Sequence, residues 1–201
     1  MRHCFRRGAG IAAWICLTAS LVACTHSPDI KPTHSPVDLT FSTKPVAFRL
    51  DGRVSVKAGD ESFSGGLSWR RDGADEELLL RTPLGQGVAE LRSGPSGMEL
   101  KNAEGRLYYA ADADSLVRQA LGMELPLSGL AWWVVGLPRP ETTFHAIADE
   151  NGHLGELRQD GWQILFDRYD VFNGKTLPGK LIARRGDALE FRLVVDSWEL
   201  N

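Results

Sequence analysis

The chain has 201 residues, with 23 Lys and Arg against 26 Asp and Glu and a formal charge of −3. That mildly acidic balance excludes a protein that holds nucleic acid or an anionic bilayer by bulk positive charge. All three cysteines, Cys4, Cys16 and Cys24, fall in the first 24 residues, so the rest depends on its apolar core and not on disulfides.

The N-terminus reads as an address before it reads as structure. Arg2, Arg6 and Arg7 precede an apolar run over 11–23, broken only by Thr18 and Ser20. A membrane-crossing helix needs about 20 apolar residues, so this run is short for one. It ends in Leu21-Val22-Ala23-Cys24, which resembles a lipobox. The expectation is a signal peptide over 1–23 and lipidation of Cys24. The plainer alternative is a secretory signal with an incidental cysteine. Removing 1–23 takes away three arginines and no acid, so membrane contact by the remainder should be hydrophobic, not electrostatic. Residues 24–44, rich in Pro, Ser, Thr and His, read as a lipidated tether, and 45–201 as one domain.

Period-2 alternation dominates that domain. Val46, Phe48, Leu50, Gly52, Val54 and Val56 share one face. Phe63, Gly65, Leu67 and Trp69 repeat the pattern, as do Trp162, Ile164 and Phe166, and then Leu189, Phe191, Leu193 and Val195. Turn signals separate the runs at Gly59-Asp60, Asp72-Gly73, Asn102 to Gly105, Asn151-Gly152, Asp160-Gly161 and Gly186-Asp187. Connections this short join antiparallel neighbours. About eleven strands result.

Two short helices interrupt the strands. Leu116, Val117, Ala120 and Leu121 form an apolar stripe after Asp112 that Gly122 ends. Pro126 opens a second segment, with Leu127, Leu130, Ala131, Val134 and Val135 at helical spacing before Gly136 and Pro138. A twisted sheet of about eleven strands with one apolar face curls into a full or partial barrel. Its interior is either filled by side chains and the helices or hollow and hydrophobic.

No catalytic constellation stands out. His26 and His34 lie in the tether, while His145 and His153 have no HxH, HExxH or Cys partner, so no metal site is expected. No G-x-S-x-G or phosphate-cradling glycine loop occurs, and no cofactor is expected. One oddity is Thr82-Pro83-Leu84-Gly85, where Pro83 suits the second position of a type I turn and Leu84 then falls at the tip. Such a leucine either folds back onto the core or projects as a hydrophobic probe worth roughly 1.5–3 kcal/mol on entering lipid or a partner.

Taken together, the lipobox, the strand pattern, Thr82-Pro83-Leu84-Gly85, the helical insert and the tail Asp196-Ser197-Trp198-Glu199-Leu200 resemble the LolB family of outer-membrane lipoprotein receptors. Further matching pieces are Phe63-Ser64-Gly65-Gly66-Leu67-Ser68-Trp69, Leu121-Gly122-Met123-Glu124-Leu125-Pro126-Leu127, Trp133-Val134-Val135-Gly136-Leu137-Pro138 and Gln159-Asp160-Gly161-Trp162. The tether shows no match.

The resemblance implies a mainly β fold, an unclosed antiparallel β-barrel of eleven strands whose helical insert covers the apolar concave face. It implies a non-enzymatic, monomeric receptor on the periplasmic face of the outer membrane. That receptor accepts lipoproteins from the soluble carrier LolA and hands their acyl chains to outer-membrane lipid. Leu84, flanked by Pro83 and Gly85, matches the family's membrane-insertion loop. Thr25, after the lipidated cysteine, is not the aspartate that marks retention at the inner membrane. Phe48, Leu67, Trp69, Trp132, Phe166 and Phe191 are the expected lining of an acyl-chain cavity, each with plain core packing as its alternative. Two other readings are a structural envelope lipoprotein with a filled β core, and an envelope hydrolase using acids such as Asp149 or Asp170.

Overall fold

The computed structural model describes residues 46–94, 97–122 and 124–200. The expected signal peptide, Cys24 and the tether lie outside the described residues.

Local alternation and glycine turns build the first half of the sheet. It comprises β1 (Phe48–Ala58), β2 (Glu61–Asp72), β3 (Asp75–Arg81), β4 (Gly87–Gly94), β5 (Gly97–Asn102) and β6 (Leu107–Ala110). Helices α1 (Ala113–Leu121) and α2 (Leu127–Trp133) follow. The second half comprises β7 (Phe144–Ala148), β8 (Leu154–Gln159), β9 (Trp162–Phe172), β10 (Lys175–Arg185) and β11 (Leu189–Leu200). Glycines at the expected turns adopt positive φ, among them Gly59, Gly73, Gly105, Gly152, Gly161 and Gly186, as tight reversals between antiparallel strands require.

All eleven strands form one antiparallel sheet in the order β6-β5-β4-β3-β2-β1-β11-β10-β9-β8-β7. Pairing of β1 with β11 joins the halves, and it leaves β6 and β7, consecutive in the chain, as the two edges. The barrel is therefore unclosed. The helical insert lies in the chain between those edges, and its apolar side chains join both halves in one core.

Register sends the alternating residues inward as the pattern requires. Leu50, Gly52, Val54 and Val56 stand opposite Trp69, Leu67, Gly65 and Phe63. Pairing of β1 with β11 breaks that simple pattern once. Leu50 pairs with Trp198 and Gly52 with Val195, so β11 carries an extra residue, a β-bulge. Val195 and Trp198 are both buried despite their odd spacing. The bulge turns Asp196 outward, where it accepts a 2.9 Å ion pair from Arg53. Gly52 is required here, because a Cβ would lie 2.4 Å from the Val194 carbonyl oxygen.

Both helices begin and end on the expected signals. Asp112 caps α1 by accepting the Ser115 N–H at 2.8 Å, and Gly122 ends it at φ 68°. Helix α2 is shorter than its apolar spacing suggests. The last regular bond runs from the Val134 N–H to the Leu130 carbonyl, and Val135 belongs to a tightened closing turn. The Gly136 N–H reaches the Trp133 carbonyl and the Leu137 N–H the Trp132 carbonyl. That pair of bonds, with Gly136 at φ 77°, is a Schellman closure.

Candidate functional site

The concave face of the sheet and the apolar sides of α1 and α2 enclose a dry interior. Between β1–β5, β11 and the helices lies a cavity of about 40 Å³ lined only by apolar residues. Of the six expected lining residues, the structure brings Leu67, Trp69 and Phe191 to this cavity. Phe48 stands behind its wall, edge-on to Trp69 at 5.3 Å and to Trp198 at 5.6 Å between ring centroids. Trp132 is buried on α2, and Phe166 stacks near Tyr169 at 6.1 Å on β9; neither borders the cavity. The rest of the lining is aliphatic, with Leu78, Leu91 and Leu100 from the sheet and Val117, Leu121 and Leu130 from the helices. These leucines of β3–β5 lie outside the expected lining, although their inward period-2 spacing is visible in the sequence.

A space of about 40 Å³ is well below the roughly 150 Å³ that admits a single benzene ring, so it holds no hydrocarbon chain. An acyl guest therefore enters this interior only if the helices move outward. How the insert is held then decides what the site can do. Within the insert, Asp114 of α1 accepts the Ser128 N–H at 2.9 Å and its hydroxyl at 2.6 Å, tying the two helices together. Beyond α2, Gln159 at the end of β8 acts as a clamp. Its Oε1 accepts the Trp133 indole N–H and the Arg139 N–H, each at 2.9 Å. Its Nε2 donates to the Arg139 carbonyl and the Thr142 hydroxyl. After α1, Arg185 of β10 reaches the Glu124 carboxylate at 2.9 Å in an exposed ion pair.

One carboxylate sits against the apolar wall. Glu76 on β3 accepts the Trp69 indole N–H at 2.9 Å. Burial pushes the Glu76 carboxyl above its ordinary value, and the Asp114 charge adds to this, while the Trp69 bond and Arg71 oppose it.

The other expected feature lies on the surface. Arg81 leads into a four-residue turn in which the Gly85 N–H donates to the Thr82 carbonyl at 2.9 Å, with Gly85 at φ 86°. The Thr82 hydroxyl accepts the Gln86 N–H, which ties down the base of the loop. Leu84 at the tip is 90% exposed, so it does not fold back onto the core. A well-bonded turn thus holds a leucine in water.

The acids considered for hydrolysis occupy structural roles. Asp149 accepts the N–H groups of Asn151 and His153 within the β7–β8 turn. Asp170 pairs with Arg168 on its own strand at 2.8 Å. Among the described residues no group of three or more His, Cys, Asp or Glu side chains is placed to hold a metal ion. No described helix is long and apolar enough to cross a membrane.

Comparison with known proteins agrees with this architecture. The family described as Outer membrane lipoprotein LolB matches residues 46–198. The outer-membrane lipoprotein LolB of Nitrosomonas europaea is 36% identical over 171 residues, covering 85% of this chain and 79% of its own. That of Thiobacillus denitrificans is 39% identical over 153 residues, covering 76% and 80%. A solved domain from Vibrio parahaemolyticus assigned to outer membrane lipoprotein sorting shares the fold, with TM-score 0.51 at 10% identity over 80% of this chain and 87% of its own. With an eleven-stranded unclosed barrel, an apolar interior under two helices and a family match over residues 46–198, the chain belongs to the LolB family of outer membrane lipoproteins.

Proposed function

We propose that this protein is a receptor that accepts lipoproteins from a soluble periplasmic carrier of the LolA kind and passes their acyl chains into the outer membrane. The observation that carries the reading is the pairing of two apolar features with different exposures. One is an interior lined only by apolar side chains beneath two helices. The other is Leu84, held 90% exposed on a braced turn. Acyl chains are insoluble, so transfer through water requires a dry site on the receiver, and the apolar interior supplies one once the helices lift. Leu84 enters lipid at delivery and contributes roughly 1.5–3 kcal/mol to that contact.

In this reading Leu67, Trp69 and Phe191 touch the guest, Phe48 supports their wall, and Trp132 and Phe166 line the space that opens when the insert moves. Cys24 carries the lipid anchor after removal of 1–23, and 24–44 is the tether to a monomeric domain. The reaction is transfer without bond chemistry. Each methylene better buried in the acceptor contributes about 0.8 kcal/mol, so small differences summed over the chains set the direction.

The test is a transfer assay. Carrier loaded with an acylated, labelled lipoprotein is mixed with vesicles bearing this protein, and label is followed from carrier to receptor to vesicle. Delivery that depends on this protein supports the reading. A protein that acquires no acylated cargo from the carrier leaves the filled structural lipoprotein as the better account. Replacing Cys24 with Ala should abolish anchoring and leave acyl binding in place.

A further inference from the structure

We infer that acyl chains pass through a mouth at the strand end that carries Leu84, and that the ion pair between Glu124 and Arg185 latches this mouth. The inference rests on the acyl-transfer reading above and adds where the chain leaves and what holds the exit shut.

Topology sets the geometry. Neighbours in the order β3-β2-β1-β11-β10 run antiparallel. The β1–β2 turn, the loop bearing Leu84 and the β10–β11 turn therefore share one end of the sheet. The N-terminus of β1 and the C-terminus of β11 lie at the other. Arg185 pairs in register with Leu189, which stands opposite Ala58, the last residue of β1. Arg185 thus sits at the rim on the Leu84 end. Its inward parity with Leu181 and Ala183, both buried, directs it to the concave side.

The helical insert meets that rim through the turn after α1. Glu124 of this turn takes the Arg185 guanidinium at 2.9 Å and lies 3.8 Å from that of Arg118 on α1. Beneath it, Leu121 and Leu125 form the cavity wall, facing Val56 and Phe191 near the same strand ends. Glu124, next in the chain to Leu125 of this wall, is exposed and pairs with both Arg185 and Arg118.

The fastenings of the insert are unequal. Beyond α2 the chain is held by Gln159, which is 3% exposed and makes four hydrogen bonds. The Asp114–Ser128 bonds make α1 and α2 move together. The side chains of Arg185 and Glu124 are 49% and 57% exposed, so water competes for both. The turn bearing Glu124 is the part of the insert that lifts most readily, and lifting it opens the cavity towards the strand end that carries Leu84. Cargo then moves from cavity to bilayer without crossing the length of the barrel in water.

The test uses the lipidated full chain in nanodiscs, loaded with an N-palmitoyl peptide bearing a dansyl group. Energy transfer from the protein tryptophans reports occupancy, and its decay on adding acceptor vesicles reports release. Glu124→Gln and Arg185→Gln should each speed release roughly two- to fivefold, the range open to one exposed ion pair. The charge-swapped triple variant, Glu124→Arg with Arg118→Glu and Arg185→Glu, inverts every charge of this cluster and should restore the original rate. Faster single variants that the swap does not slow would mean general loosening and would overturn the latch. Unchanged rates in a protein that does hold the peptide overturn this inference alone. Failure of the unaltered protein to take up the peptide overturns the acyl-binding reading as well.

Discussion

Gln159 and Trp133 meet at 2.9 Å, amide oxygen to indole nitrogen, in a site closed to water. Because the same oxygen also accepts the Arg139 N–H, one side chain satisfies two donors that folding has removed from solvent. Replacing Gln159 with Leu keeps the volume and orphans both. Each unsatisfied buried donor costs about 1–3 kcal/mol, so the variant should lose roughly 2–6 kcal/mol. Denaturant melts read this directly. A loss below about 1 kcal/mol would mean that the clamp contributes little to stability.

Leu84→Glu separates folding from delivery. The side chain is 90% exposed and makes no core contact to lose, so the melting temperature should stay within about 1–2 °C of the original. Cargo acquisition should persist while transfer to vesicles drops severalfold. An unfolded variant would show that the leucine supports the fold, contrary to its exposure.

Gly65→Ala probes the root of the same loop. A Cβ at Gly65 would lie 2.0 Å from the Arg81 carbonyl oxygen, at the point where β3 leaves the sheet for the Leu84 turn. Backbone must shift to admit the methyl, at a cost of about 1–3 kcal/mol. The melting temperature should fall accordingly, and transfer should weaken because the loop is displaced. Stability equal to that of the parent protein would show that the sheet yields freely at this point.

Glu76 gives a pH dependence with a definite sign. Burial raises its folded-state pKa, so the folded protein holds this proton more tightly than the unfolded chain does. Its contribution to stability is fully present below the ordinary glutamate value and is lost as pH rises through the raised one. Glu76→Gln retains an oxygen for the Trp69 indole and removes the buried charge. The variant should melt roughly 1–3 °C higher than the parent at pH 7, with the gain shrinking towards pH 4. A gain independent of pH would assign the effect to packing instead of charge.

Much of this protein was legible in one dimension because the relevant forces are local. Alternation in β1, β2 and β9 follows from the pleat, which sends neighbouring side chains to opposite faces whatever the partner strand. Gly59, Gly73 and Gly122 mark reversals because only glycine takes their left-handed conformation without strain. Thr82-Pro83-Leu84-Gly85 announced a turn with a leucine at its tip, and the family motifs followed the same local pieces. Tertiary structure alone decided what depends on residues far apart in the chain. The bulge at Asp196 opposite Asp51 and Gly52, the clamp from Gln159 to Trp133 and the ion pair joining Glu124 to Arg185 arise only once distant strands have met. The cavity wall likewise drew on leucines of β3–β5 as much as on aromatic residues, because burial there is set by which strands lie beneath the helices. Side-chain alternation is a property of each strand, whereas the size of a hollow and the fastening of its cover belong to the space between elements.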